Sequence, residues 1–501
     1  MKSLARARAS LWVIGCVFVY FLVQPIAGVY SQNKEGFALL KKEVIKIDSE
    51  EYVLLRGELT VPEDRSKPGS RVLKIPVQII KAARANSAEP IFWLDGGPGA
   101  TNILSVKKVV TVSPSKLLAN HDFVCIGYRG VDGSTVLNAK KINKAFKGIN
   151  HKMLSDQSLN NVEAKIKDYC TDLKKEGIDI NQYTILNVID DMDYARKALG
   201  YASINLLSVS YGTRIALLYN YKFPSVITRT IMIGACPPGY FLTRQEQAEK
   251  TIHYYDSLYQ LQSGVELAGS IREAMQKAFD NLPKRWAAFR LDPEKIKAGT
   301  TGMLYARGSA VWAFNAYFKA ANEGDFSELY MLQKIFEMNS KTVMGDVFAK
   351  TVSADMKSNS VDSNTREQFR NSYTLLGNNI AAIYGSTAHA WSIKSIPDEY
   401  KKLRVSEANV LIVSGDLDFR TPVDITNREL MPFLKNGRHV VLKNMSHSDI
   451  LLNVMKSQDF LYQYFEFDKV DESLIGSVPI VDFTSKLKLG KIKIFVAGLV
   501  M

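Results

Sequence analysis

The chain has 501 residues, 46% apolar and 23% charged, close to ordinary folded proteins, which excludes a disordered chain and a polytopic membrane protein. Its formal net charge is +13, to which Lys2, Arg6 and Arg8 contribute three, and no basic run is interleaved with aromatics. That reads as a solvated basic surface and excludes a nucleic-acid site, while the length suits one large α/β domain with an insertion, or two domains.

In chain order, the first element is a targeting segment. Lys2, Arg6 and Arg8 precede an apolar stretch from Leu11 to Val23, and Val29-Tyr30-Ser31 offers small residues before a cut. This predicts a signal peptide over 1–31, a mature chain starting at Gln32, and a periplasmic or secreted location. The stretch is short and soon polar, which argues against a spanning helix and against stable membrane insertion after processing. Cys16 lies inside the apolar core rather than at its end, which argues against lipidation. Three cysteines remain, Cys125, Cys170 and Cys236, an odd number that cannot pair completely. Cys125 and Cys236 sit in apolar runs and read as small buried hydrophobes.

Tyr52 to Val61 and Val72 to Lys81 alternate enough to predict an antiparallel strand pair, joined by the turn-rich 62–69. Ile91 to Leu94, Phe123 to Tyr128, Ile204 to Val209 and Ile227 to Gly234 read as buried parallel-sheet strands. Asn161 to Lys175 and Val188 to Leu199 have helical spacing and would flank that sheet. From Pro237-Pro238 to about Ser406 the pattern turns helical and aromatic-rich, with Tyr254, Tyr255, Trp286, Phe289, Tyr305, Trp312, Phe314, Tyr317 and Phe318. Placed over the carboxyl edge of the sheet, such a segment would act as a lid, with most of its aromatics forming its own core. Leu411 to Ser414 and Val440 to Leu442 would complete the sheet.

Chemistry gathers at the ends of these strands. Ser210 follows the strand 204–209 and precedes a helical pattern, as a nucleophile elbow does, with Ser208 and Gly212 at the two positions of the usual glycines. Serine needs a base, and the base needs a carboxylate to hold its tautomer. His447, in the loop after 440–442, and Asp418, in the loop after 411–414, follow Ser210 in the order this fold uses. Asp416 is the rival carboxylate; Asp418 is preferred because it lies further past the strand end, beside Thr421-Pro422. After the strand 91–94, Asp95-Gly96-Gly97-Pro98-Gly99 would bring a backbone N–H to a carbonyl oxygen. The N–H groups of Gly97 and Tyr211 are the expected oxyanion hole. No histidine or cysteine cluster has metal-ligand spacing.

Together these motifs resemble the proline iminopeptidase and tripeptidyl aminopeptidase family of α/β-hydrolase serine peptidases. Asp95 to Gly99 is similar to its H-G-G-P-G signature, and His121 to Ser134 to its D-Q-R-G-x-G-x-S segment. Ser208 to Arg214 resembles its G-x-S-Y-G-T-R elbow, and Gly415 to Pro422 its G-x-x-D-x-x-T-P loop. The resemblance runs from about Val53 to about Tyr464. It implies an α/β-hydrolase fold with a mostly parallel sheet, no cofactor, and removal of short units from peptides with free N-termini. Asp95 replaces the motif histidine, Gly127-Tyr128 replaces Asp-Gln, and Ser208 replaces a glycine, departures that bear on substrate preference. The expected organisation is a hydrolase core over 32–240 and 406–480, a helical cap over 241–405, and a tail over 481–501. An esterase or other small-molecule hydrolase on the same triad is the alternative. Glu246, Glu323, Asp325 and Glu337 could serve a substrate amine, but each reads better as a helix-surface charge.

Overall fold

The computed structural model describes residues 36–84, 88–103, 115–148, 153–242, 245–262, 269–338, 343–356, 374–377 and 379–484. The targeting segment and the tail beyond 484 lie outside the described residues.

Nine strands form one sheet. They are β1 (Phe37–Ile47), β2 (Glu50–Pro62), β3 (Val72–Ile80), β4 (Ala88–Leu94), β5 (His121–Ile126), β6 (Ile204–Val209), β7 (Ile227–Ile233), and two later strands. Between β7 and those two lie β8 (Arg285–Trp286) and β9 (Phe289–Arg290), a small separate hairpin, followed by β10 (Ser406–Gly415) and β11 (Leu434–Leu442). The order across the sheet is β1-β2-β3-β5-β4-β6-β7-β10-β11. The first three strands are antiparallel, β3 meets β5 antiparallel, and β5 to β11 are parallel across the order. This is an α/β-hydrolase sheet, mostly parallel, with helices on both faces.

Burial explains which strands read clearly. β6 is buried at every position, as a parallel strand covered on both faces must be, and its residues are apolar apart from Asn205 and Ser208. β3 alternates between buried and more exposed positions, as a one-sided strand does. Alternate side chains of the central strands feed two apolar layers. Phe92, Leu94, Val124, Leu206, Met232 and Ile412 face the helices Asp156–Lys175, Ile185–Ala198 and Tyr211–Lys222. Trp93, Cys125, Leu207, Ile231 and Val413 face Ser115–Asn120, His447–Lys456 and Gln458–Phe467.

Two details differ from the sequence reading. β1 was not expected: Lys41, Lys42 and Glu43 interrupt its apolar residues, few of its side chains turn inward, and pairing with β2 holds it. The 241–405 stretch is mainly helical but contains the hairpin β8–β9, two residues a side, too short to show alternation. Much of this stretch has its own apolar cluster around Ile252, Tyr255, Phe314, Tyr317 and Leu329, which also takes in Leu417 and Phe419. A second part, with Met344, Phe348, Val352, Ile383, Trp391 and Ile396, packs instead into the layer beneath the sheet.

The sheet order reverses at β4, whose neighbours are β5 on one side and β6 on the other. The crevice outside the carboxyl ends at such a point is where ligands bind in open α/β sheets.

Candidate active site

Ser210 follows β6 directly and caps the helix Tyr211–Lys222 at φ 53° and ψ −126°. Positive φ in a residue with a Cβ is strained, and it is held here by hydrogen bonds: Ser210 N donates to Ile233 O at 2.9 Å, and Thr213 N donates to Ser210 O at 2.9 Å. The turn is tight enough to require glycine at 212, where a Cβ would stand 2.2 Å from the Leu94 carbonyl oxygen. Ser208, in the place of the usual first glycine, turns its hydroxyl away and donates to Ile231 O at 2.7 Å.

His447 is the first residue of the helix His447–Lys456, and its Nδ1 lies 2.8 Å from Asp418 Oδ2. A carboxylate only accepts, so Nδ1 carries the proton and Nε2 is left as the basic nitrogen. Asp418 is buried and accepts further from Thr421 Oγ1 at 2.5 Å, Thr421 N at 2.9 Å and Arg420 N at 2.8 Å. Burial alone would push its carboxyl up, but the His447 interactions and the Thr421 bonds outweigh it and hold it below the usual value. Asp416 is turned elsewhere, accepting from Tyr254 Oη at 3.1 Å.

The loop after β4 runs past the serine: a Cβ on Gly96 would stand 2.9 Å from Ser210 Cβ. Asp95 is buried, its Oδ1 accepts from Gly96 N at 2.8 Å, and its carbonyl accepts from Tyr128 Oη at 3.1 Å. Tyr211 N–H belongs to the first turn of its helix and so has no intrahelical acceptor. Gly97, Ser210 and His447 line one cavity of about 570 Å³. Its wall is largely apolar, with Phe146, Phe241, Tyr305, Phe336, Tyr384 and Phe419 among the lining side chains. Among the described residues the wall carries one carboxylate, Asp95, and one guanidinium, Arg420. Glu246, Glu323, Asp325 and Glu337 are not in that wall; Asp325 pairs with Lys319, and Glu337 with Lys295 and Lys334.

The alpha/beta hydrolase fold family matches residues 89–454, from β4 to the helix that His447 begins. The chain belongs to that family. Serine protease Hip1 of Mycobacterium tuberculosis is 28% identical over 191 residues, 37% of this chain and 36% of that protein. Tripeptidyl aminopeptidase of Streptomyces coelicolor is 26% identical over 194 residues, 36% of this chain and 35% of that protein. The chain thus spans about a third of the length of the relatives it matches. The solved proline iminopeptidase of Mycobacterium smegmatis gives a TM-score of 0.40 at 12% identity, covering 81% of this chain and 97% of that one.

In this alpha/beta hydrolase, three contributors went unread in the sequence. Thr421 was quoted within a motif, yet its hydroxyl both donates to Asp418 and sits 3.2 Å from His447 Nδ1. Tyr305, from the long segment before β10, stands edge-on to the His447 ring at 5.4 Å, and its carbonyl accepts from Ser448 N at 2.7 Å. Asp346 accepts from Gly99 N at 3.0 Å. The last had a signal: Asp346 and Lys350 are an i, i+4 charge pair inside the otherwise apolar helix Met344–Thr351.

Proposed function

We propose that this chain is a serine hydrolase that works through an acyl-enzyme on Ser210 and releases units of one to three residues from the free N-termini of peptides. The observation that carries the reading is the 2.8 Å contact between His447 Nδ1 and Asp418, with His447 lining the same cavity as Ser210. Ser210 Oγ attacks the carbonyl carbon while His447 Nε2 takes its proton. Asp418 keeps the imidazole in that tautomer and stabilises it when charged. The Gly97 and Tyr211 N–H groups would hold the oxyanion. His447 then returns the proton to the leaving amine, and water repeats the sequence to free the acid. The match to a tripeptidyl aminopeptidase and a serine protease supports the peptide reading. The segment 241–405 serves in this reading as a lid closing one end of the cleft, over a core of 32–240 and 406–480.

A second reading, an esterase or other small-molecule hydrolase, is favoured by the cavity wall itself. An ammonium group calls for carboxylates and carbonyls in a partly dry pocket, and among the described residues only Asp95 lines it with a carboxylate. Acetylating the substrate N-terminus separates the two. An aminopeptidase loses most of its kcat/KM on the blocked peptide, whereas equal cleavage of free and acetylated peptides, or ester hydrolysis without peptide cleavage, decides for the esterase. The proposed site of action is outside the cytoplasm, after a cut near Gln32. Sequencing the N-terminus of protein from its native host checks this; an intact Met1 in a cytoplasmic fraction refutes it.

A further inference from the structure

The glycine loop after β4 is anchored at its two ends by the sheet and its near neighbours. Asp95 N donates to Asn102 Oδ1 at 2.9 Å, and Tyr128 Oη reaches the Asp95 carbonyl. At the far end, Thr101 Oγ1 and Asn102 N both donate to Asp132. The middle of the loop is held from elsewhere. Gly99 N donates to Asp346 Oδ2 at 3.0 Å, and Gly99 O accepts from Val343 N at 3.0 Å. Both polar groups of Gly99 are therefore taken by two residues, Val343 and Asp346, of the long segment between β7 and β10.

Asp346 is fully buried and forms an ion pair with Lys350, one helical turn on. The Lys350 ammonium stands 5.7 Å from the Tyr128 ring centre and 3.5 Å from the Arg129 carbonyl oxygen. The seat is closed on all sides. A Cβ on Gly130 would lie 2.9 Å from Asp346 Oδ1, and one on Gly345 would lie 2.4 Å from Leu137 O. Burial pushes the carboxyl up and the ammonium down, and their pairing opposes both shifts. A buried ion pair is a poor source of stability, since two apolar side chains of like volume serve as well or better. What an apolar pair would not provide is a fixed acceptor for the Gly99 N–H.

We propose that Asp346, held by Lys350, is a positioning residue that fixes the Gly97–Gly99 backbone for oxyanion stabilisation, so that the segment between β7 and β10 completes the active site. The inference rests on the serine-hydrolase reading above. An oxyanion donor must stand within hydrogen-bond range of where the charge develops, and a misplacement of about 1 Å costs on the order of 100-fold in rate.

The test uses paired replacements that leave no lone buried charge. D346L/K350M removes the acceptor and both charges together; D346N/K350M removes the charges and keeps an acceptor for Gly99. Turnover of p-nitrophenyl butyrate and of an N-terminally free peptide nitroanilide is measured with the binding of an alkyl trifluoromethyl ketone, which forms a tetrahedral adduct. In D346L/K350M, kcat should fall roughly 100-fold with KM little changed, and ketone affinity should fall in parallel. D346N/K350M should recover most of both. Val343→Pro is an independent arm: φ at 343 is already −78°, so proline keeps that backbone geometry and removes the donor to Gly99 O, and kcat should again fall at unchanged KM. Wild-type kcat in a folded D346L/K350M, or an equal loss in D346N/K350M, overturns the inference. If D346L/K350M does not fold, wild-type kcat in Val343→Pro overturns it instead. Wild-type protein that hydrolyses neither substrate and takes up no fluorophosphonate at Ser210 overturns the underlying reading, and this inference with it.

Discussion

At Ser210 the backbone adopts φ 53° and ψ −126°, which a residue with a Cβ holds at a cost of roughly 1–3 kcal/mol. The strain gives a sharp test of what the position is for. Ser210→Ala keeps the strain and loses the hydroxyl; Ser210→Gly loses both. Both should lower turnover by several orders of magnitude, yet the glycine variant should unfold at a urea midpoint no lower than that of the alanine variant. A glycine variant markedly less stable than the alanine one would show that the turn is not strained. The carboxylates allow a similar comparison. Asp418→Asn should cut kcat by about 10⁴-fold while Asp416→Asn, which touches Tyr254 instead of His447, should leave it near wild type. Equal losses in both would reject the assignment of Asp418. The same residue has a pH signature. Its carboxyl is held below the ordinary aspartate value, so the folded chain binds fewer protons here than the unfolded one. The resulting stability is complete above the unfolded value of about 3.9 and is lost as the pH falls through the depressed one. The stability gap between wild type and Asp418→Asn, measured by urea unfolding at stepped pH, should therefore shrink toward acid; a gap constant below pH 4 would refute the linkage.

Each candidate triad side chain follows the carboxyl end of a parallel strand, and this is why the candidate site was legible. β4, β6, β7 and β10 are buried on both faces at their inner ends, so their apolar runs stand out, and the polar loops that follow are conspicuous. The candidate site residues Ser210, Asp418 and His447 and the glycine loop were read from the sequence in this way. β1 was not, because a one-sided strand rich in lysine carries no such run. Nor were the contacts made by Tyr305 and Asp346 with the His447 and glycine loops, because they join residues more than 100 positions apart, and spacing does not report such contacts. The elbow element makes its own prediction. A methyl group at 212 would meet the carbonyl oxygens of Leu94 and Asp95 at 2.2 and 2.8 Å, backbone atoms at the end of β4 that have little room to yield. Gly212→Ala should cost at least about 1–3 kcal/mol and displace the glycine loop, lowering kcat as well as the thermal midpoint. An unchanged midpoint would mean that the elbow and β4 separate more easily than this contact allows.

At the scale of the whole molecule, the long segment between β7 and β10 is tied into the fold at three places. Its own apolar cluster contains Leu417 and Phe419, the neighbours of Asp418. Its Tyr305 carbonyl receives Ser446 Oγ and Ser448 N on either side of His447. Val343 and Asp346 grip the glycine loop. A segment so attached should not melt ahead of the cavity it lines. The last described residues supply a distant handle on it. Phe483 is buried against Tyr259, ring centres 5.3 Å apart, and its backbone is held by Gln262 and Asn315. Phe483→Ala removes a large ring from that cluster, far from the Ser210 loop in sequence, and should cost roughly 3–5 kcal/mol. Because the cluster reaches Leu417 and Phe419, the loss should appear as one cooperative transition at lower temperature, with activity and helical signal lost together. Loss of helical signal in a separate early step, with hydrolysis persisting to the wild-type midpoint, would instead make the segment an independent unit whose contacts with the Asp418 and His447 loops are dispensable.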